Sequence, residues 1–143
     1  GALTIEGIST WHDNKQGALR GKNICFMLSI RGMRLCHMGD LGHIPDDDVI
    51  QKIKGAEILL IPVGGNYTID AAKALKICEM VEPNVIIPMH FKTPVSTLDI
   101  APLSDFLEAA DRNYDVSHLG KCYLDIDKMT LKKRTRIVVM EYL

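Results

Sequence analysis

The chain has 143 residues, 47% hydrophobic and 24% charged, which is enough to bury a core and too apolar to stay disordered. Its 17 basic and 18 acidic side chains leave a net charge of −1, without the basic excess that binding to nucleic acid phosphates requires. No run of roughly 18 apolar residues offers a membrane span. The opening GALTIEG has no charged head before an apolar stretch, so no signal peptide is expected and the expected location is cytoplasmic.

Leu3 to Thr10 alternates apolar and polar residues and predicts a strand. Asp13 to Asn23, with Gly17 and Gly21, is loop chemistry. Ile24 to Ile30 and Met33 to Met38 predict two strands joined at Arg31-Gly32 by a tight hairpin turn. Asp46 to Lys54 predicts a short helix with acids in its first turn and Gly55 as its stop. Ile58 to Val63 is an unbroken apolar run, as in a strand buried on both faces, and Gly64-Gly65 ends it.

Thr68 or Asp70 can cap a helix running to Val81, which Pro83 closes. Val85 to Met89 predicts another buried strand, and Pro102 to Asn113 a third helix with proline near its start. Cys122 to Ile126 and Arg136 to Tyr142 predict closing strands. Strands alternating with helices, with hairpins at both ends, predict an α/β layered fold with a mixed sheet covered by helices on one face. The other face then needs a partner layer from further sequence or a second chain. Cys25, Cys36, Cys78 and Cys122 form no CxxC pair and are expected as small buried thiols in a reducing compartment.

Three residues stand out for their chemistry. His12, Asp40 and His90 each follow a predicted strand, in STWHD, HMGDLGH and IPMHFKT. Ligands gather at the carboxyl ends of strands in open α/β sheets, and imidazole with carboxylate suits zinc, manganese or iron. Spacing alone leaves the plainer alternatives open: a hydrogen-bonded structural histidine, or Gly-Asp as turn chemistry.

The strings TWHD, CHMGDLGH, LLIPVGGNYTIDA and IIPMHFKTP, in this order, resemble the later motifs of the metallo-β-lactamase superfamily. They are most similar to its Zn-dependent hydrolase branch, close to the ascorbate-6-phosphate lactonases. The resemblance runs from about Ile5 to Pro94. It implies half of a four-layered αββα fold, with residues 1–143 forming one domain. It also implies that His12 binds a first divalent metal, that His90 binds a second, and that Asp40 bridges them. Two such metals share a water and lower its pKa for attack on an ester, lactone, amide or phosphoester of a small substrate. Zinc is the first choice, with manganese or iron as alternatives.

The chain departs from the family pattern in one respect. The signature HxHxDH is absent, and no HxH occurs among the five histidines. The expectation is therefore the C-terminal half of such a domain, inactive and weakly metal-binding alone, whose N-terminal half or a second chain completes the site. A natural variant that has dropped the site is the alternative.

Lesser candidates surround the three. Asp13 is a hydrogen-bond acceptor for a ligand or a surface loop acid, and His43 a catalytic proton donor beside Asp40 or a helix-start residue. Lys92 binds an anionic substrate group or is solvated, and Asn66 and Tyr67 line the pocket or merely form a turn. Trp11 is expected as a core anchor, His37 facing the core or the sheet's other side, and His118 receives no role. A sticky sheet face predicts a homo-oligomer. Two rival classes remain: a non-catalytic binding or scaffold domain on the same fold, and a di-iron redox relative, for which no flavin-domain sequence is present.

Overall fold

Period-two alternation in β1 (Thr4–Trp11) and β2 (Lys22–Ile30) buries Ile8 and Thr10 of one and Asn23, Cys25 and Met27 of the other on a single sheet face. The two strands pair antiparallel, with Thr10 opposite Asn23. β2 turns through Arg31 (φ 49°) and Gly32 (φ 75°) into β3 (Met33–His37), and two successive left-handed residues are the signature of a type I′ hairpin. The computed structural model describes residues 1–142.

The chain then alternates strand and helix. Helix α1 (Asp47–Ile53) starts at Asp46, whose carboxylate accepts the Val49 N–H. Strand β4 (Ile58–Pro62) follows. Asp70, rather than Thr68, caps α2 (Ala71–Val81) by accepting the Lys73 N–H, and the helix ends at Glu82 in the left-handed conformation just before Pro83. Strand β5 (Val85–Met89) leads through a loop to α3 (Leu103–Ala110), which tightens into a 3-10 turn at Asp111–Asn113. β6 (Asp115–His118) and β7 (Arg136–Val139) complete the sheet.

The seven strands lie in the order β1-β2-β3-β4-β5-β7-β6, antiparallel among the first three and parallel from β3 onward. β1, β3, β4 and β5 therefore all point the same way, and their carboxyl ends share one rim. The mixed sheet and its helices are those of the expected α/β architecture. All three helices cover one face: Ile53, Ile77, Val81, Phe106 and Ala110 pack on Cys36, Leu59, Ile61, Ile86 and Ile137. Among the described residues no helix is long and apolar enough to cross a membrane.

Two expectations are corrected. Cys122 to Ile126 forms no strand, and Cys122 is exposed rather than a buried thiol. Its alternation has a different cause: Leu119, Leu124, Ile126 and Leu131 drop onto Ile58, Val85 and Val138, so the segment lies across the second sheet face without joining a ladder. The added strand is instead the polar Asp115–His118, an edge strand whose backbone pairs only with β7. The second face is covered only in part, because Ile5, Ile24, Phe26 and Ile30 on β1 and β2 remain exposed.

The helix-covered core sets an expected stability pattern. Phe106 is fully buried and Val95 is 81% exposed. Phe106→Ala should cost about 3–5 kcal/mol in urea denaturation, whereas Val95→Ala should stay within about 0.5 kcal/mol. Equal effects would show that α3 does not pack as described.

Candidate metal centre

The shared rim carries the three candidate ligands. β1 delivers His12, the turn after β3 delivers Asp40, and β5 delivers His90. Asp40 stands between the two imidazoles: its Oδ2 lies 3.9 Å from His12 Nε2, and its Oδ1 lies 4.0 Å from His90 Nε2. Each carboxylate oxygen thus faces a different histidine. Asp40 is half exposed, and the histidine side chains are 26% and 25% exposed.

These contacts are too long for hydrogen bonds. His12 Nε2 and His90 Nδ1 are both buried with no hydrogen-bond partner among the described residues. An orphaned buried polar nitrogen costs about 1–3 kcal/mol, and a cation would relieve that cost at His12 Nε2. Donors about 2.0–2.2 Å from one tetrahedral metal sit about 3.4 Å apart. The observed gaps of 3.9 and 4.0 Å exceed this by about half an ångström. Accordingly, among the described residues no three His, Cys, Asp or Glu side chains already enclose a cation. The donor set and the orphaned His12 Nε2 fit divalent metal, and the open spacing requires further donors.

Close backbone approach holds the rim together. The Gly42 N–H donates to the Trp11 carbonyl, and a Cβ on Gly42 would lie 2.2 Å from the Asp13 nitrogen and the His12 carbonyl carbon. A Cβ on Gly64 would lie 2.2 Å from the His90 carbonyl oxygen. His90 itself is left-handed, at φ 53°, which swings its ring off the end of β5. The turn presenting Asp40 contains left-handed Gly39, whose N–H donates to His37 Nδ1. His37 thus braces this turn.

Two secondary candidates are corrected. His43 is not free to act as a proton donor: its Nε2 accepts the Trp11 N–H at 3.1 Å, and its Nδ1 meets the Ile44 carbonyl at 3.0 Å. It fastens β1 to the Asp40 loop. Among the described residues Asp13 bonds backbone and no candidate ligand side chain. It is 2% exposed, and its carboxylate accepts four backbone N–H groups, from Lys15, Gly17, Leu19 and Arg20, at 2.7–3.0 Å. Burial alone would push this carboxyl up. The four N–H donors outweigh it and hold the pKa at about 2, below the ordinary 3.8. Asp13 therefore shapes the loop that follows His12, and Trp11 packs its ring against Gly17 of that loop.

Asn66 and Tyr67 line a polar cavity with His12, Arg20, Thr68 and Lys73. Sequence reading passed over Arg20, an apparently solvated loop residue, yet its guanidinium lies 5.4 Å above the Tyr67 ring. Lys92 Nζ donates to the Leu98 carbonyl of its own loop at 2.5 Å, using one of its three donors.

A mixed sheet with helices on one face, here with two histidines and an aspartate at its carboxyl rim, places the chain among metallo-β-lactamase-fold proteins. Residues 1–90 match the family described as "Beta-lactamase superfamily domain", and the chain belongs to this family. It is 37% identical over 110 residues to a UPF0173 metal-dependent hydrolase of Carboxydothermus hydrogenoformans, covering 73% of this chain and 49% of that protein. A like-named protein of Archaeoglobus fulgidus is 32% identical over 99 residues, which is 43% of its length. The chain thus spans about half the length of the curated relatives it matches. A Thermotoga maritima structure described as a Zn-dependent hydrolase of the metallo-β-lactamase superfamily superposes with TM-score 0.77 at 33% identity, over 96% of this chain and 64% of that one.

Two outcomes follow from this geometry. Gly42→Ala or Gly64→Ala should lower stability by about 1–3 kcal/mol or more, read as a fall in Tm, because backbone must shift; an unchanged Tm would contradict the close approach. Asp13 binds its proton more weakly folded than unfolded. Its contribution is therefore complete above pH 4 and fades as pH falls toward about 2. A carboxyl carbon titration by NMR should show that midpoint for Asp13, and Asp13→Asn should speed amide exchange at residues 15–20. A midpoint near 3.8 would remove the argument.

Proposed function

We propose that this chain carries half of the active site of a dinuclear metal-dependent hydrolase. The observation that carries this reading is Asp40 set between His12 and His90 with one oxygen toward each. His12 would hold one divalent cation, His90 a second, and Asp40 both. A bridging carboxylate offsets part of the repulsion between two cations about 3.5–4 Å apart. Zinc is the leading choice, with manganese and iron suited by the same ligands. When bound, the metals supply a water of lowered pKa, able to attack an ester, lactone, amide or phosphoester.

This chain's own residues do the rest by position. Asp40 keeps its carboxylate at the mouth of the rim. The cavity beside His12 receives a small substrate, with Asn66 and Tyr67 contacting it and Arg20 available for an anionic group. Lys92 takes a second place, since its ammonium is partly engaged. The remaining ligands come from the other half of the domain, a reading supported by relatives about twice as long as the matched region. The same segment would cover the apolar strip of Ile5, Ile24, Phe26 and Ile30. Three buried unpaired thiols (Cys25, Cys36 and Cys78) suit a reducing, cytoplasmic setting.

The test uses the complete protein. It should bind about two divalent cations per chain and hydrolyse members of a lactone, ester and phosphodiester panel. Chelation should abolish both properties. Asp40→Ala should cost most of the bound metal, and His12→Ala or His90→Ala about one equivalent each. Hydrolysis that survives exhaustive chelation would exclude the metal mechanism.

A further inference from the structure

Asn23 is buried at the sheet rim, 9% exposed, yet it belongs to β2, the one strand of the first three whose carboxyl end points away from the site. Its side chain touches no candidate ligand side chain. Three of its four side-chain hydrogen bonds nevertheless join the strand leading to His12 to the turn carrying Asp40, the fourth being a long contact from Nδ2 to Cys25 Sγ at 3.7 Å. Nδ2 donates to Thr10 Oγ1 at 2.8 Å and to the Met38 carbonyl at 2.9 Å, while Oδ1 accepts the backbone N–H of Asp40 at 2.9 Å.

We propose that Asn23 is a positioning residue for the metal centre, an amide latch that fixes the Asp40 carboxylate relative to His12. The inference rests on the dinuclear-site reading. The chemistry required at this position is narrow. The Met38 carbonyl needs a donor and the Asp40 amide needs an acceptor, two residues apart on one tight turn. A primary amide offers both from one planar group. Aspartate would set an oxygen against the Met38 carbonyl, and leucine would leave the Asp40 N–H unpaired and the Met38 carbonyl with only the weak Cys25 thiol.

The other end of the latch lies on β1. Thr10 pairs with Asn23 across the ladder. Its hydroxyl accepts from Nδ2 and also donates to the Asn23 carbonyl at 3.3 Å. Thr10 stands two residues before His12, so a single side chain couples the strand carrying one ligand to the turn carrying the shared ligand. The turn is moulded to it: a Cβ on Gly39 would lie 2.5 Å from Asn23 Oδ1, so only glycine lets the latch close. Cys25 Sγ adds a weaker contact to the same Met38 carbonyl at 3.4 Å. Because Asp40 must reach toward two histidines with gaps already wide for one metal, small rotations of this turn alter metal affinity directly.

The experiment is a zinc and cobalt(II) titration of the complete protein against a competing chelator, with the Tm of the metal-free form recorded alongside. Asn23→Leu should weaken metal binding roughly 10- to 100-fold, the loss usual when a partner of a ligand is removed, and should alter the cobalt absorption spectrum. Ile77→Val, in the helix-covered core far from the rim, should lower Tm and leave affinity within about twofold, which separates positioning from general stability. Should Asn23→Leu not fold, Thr10→Val keeps both bonds to the Asp40 turn and loses only the β1 anchor; a weakening of threefold or more is expected. Affinity unchanged within twofold in Asn23→Leu, or in Thr10→Val if Asn23→Leu does not fold, would overturn the latch, as would a loss in Ile77→Val as large as in Asn23→Leu. A wild-type protein that takes up no metal would overturn the dinuclear reading itself, and the latch with it.

Discussion

The parallel ladder that β4 makes with β3 on one side and β5 on the other is the constraint on which the site depends. It sets Leu60 beside both His37, where β3 ends, and Ile87, two residues before β5 ends, so the two strands run in step towards their exits. Asp40 and His90 begin within three residues of those exits. β1 reaches the same rim by a different route, through two antiparallel pairings that restore its direction. Apolar burial on both faces of β4 holds the register, since a slip of one residue would exchange Leu59 and Ile61 with Ile58 and Leu60 between faces. Core packing thus determines where the imidazoles stand.

The loops add detail that the sheet cannot supply. Gly42 lies against the His12 backbone and Gly64 against that of His90, so both histidines rest on a neighbouring loop with no side chain between. Asp13 gathers the loop after His12 through four backbone N–H groups, and His43 ties β1 to the loop following Asp40. These residues hold backbone where a site needs it held, which is different work from binding a metal or moving a proton. Their polarity made them resemble chemistry.

The sequence was most readable where burial dictates pattern. The apolar runs of β4 and β5, the I′ turn at Arg31-Gly32 and the capped helices α1 and α2 each follow from local rules. The three candidate ligands were legible because strand exits are visible as apolar runs ending in histidine or Gly-Asp. Cys122 to Ile126 misled for a physical reason. Alternation records which side chains are buried, and a segment lying across a sheet face buries them as regularly as a strand does. Asp115–His118 was invisible because an edge strand held by one neighbour needs little apolar content. Asn23 and Arg20 could not be found locally, since their partners lie on other strands or loops.

His90 combines a donor side chain with a backbone angle, φ 53°, that suits glycine better. Holding a non-glycine residue there costs roughly 1–2 kcal/mol. The proposed metal-holding role and thermal robustness therefore pull in opposite directions at this position. A library of this protein selected for heat resistance alone would enrich glycine or asparagine in place of His90. A copy under no demand to hold a metal here would drift the same way, so the residue at this bend would record whether such a demand acts.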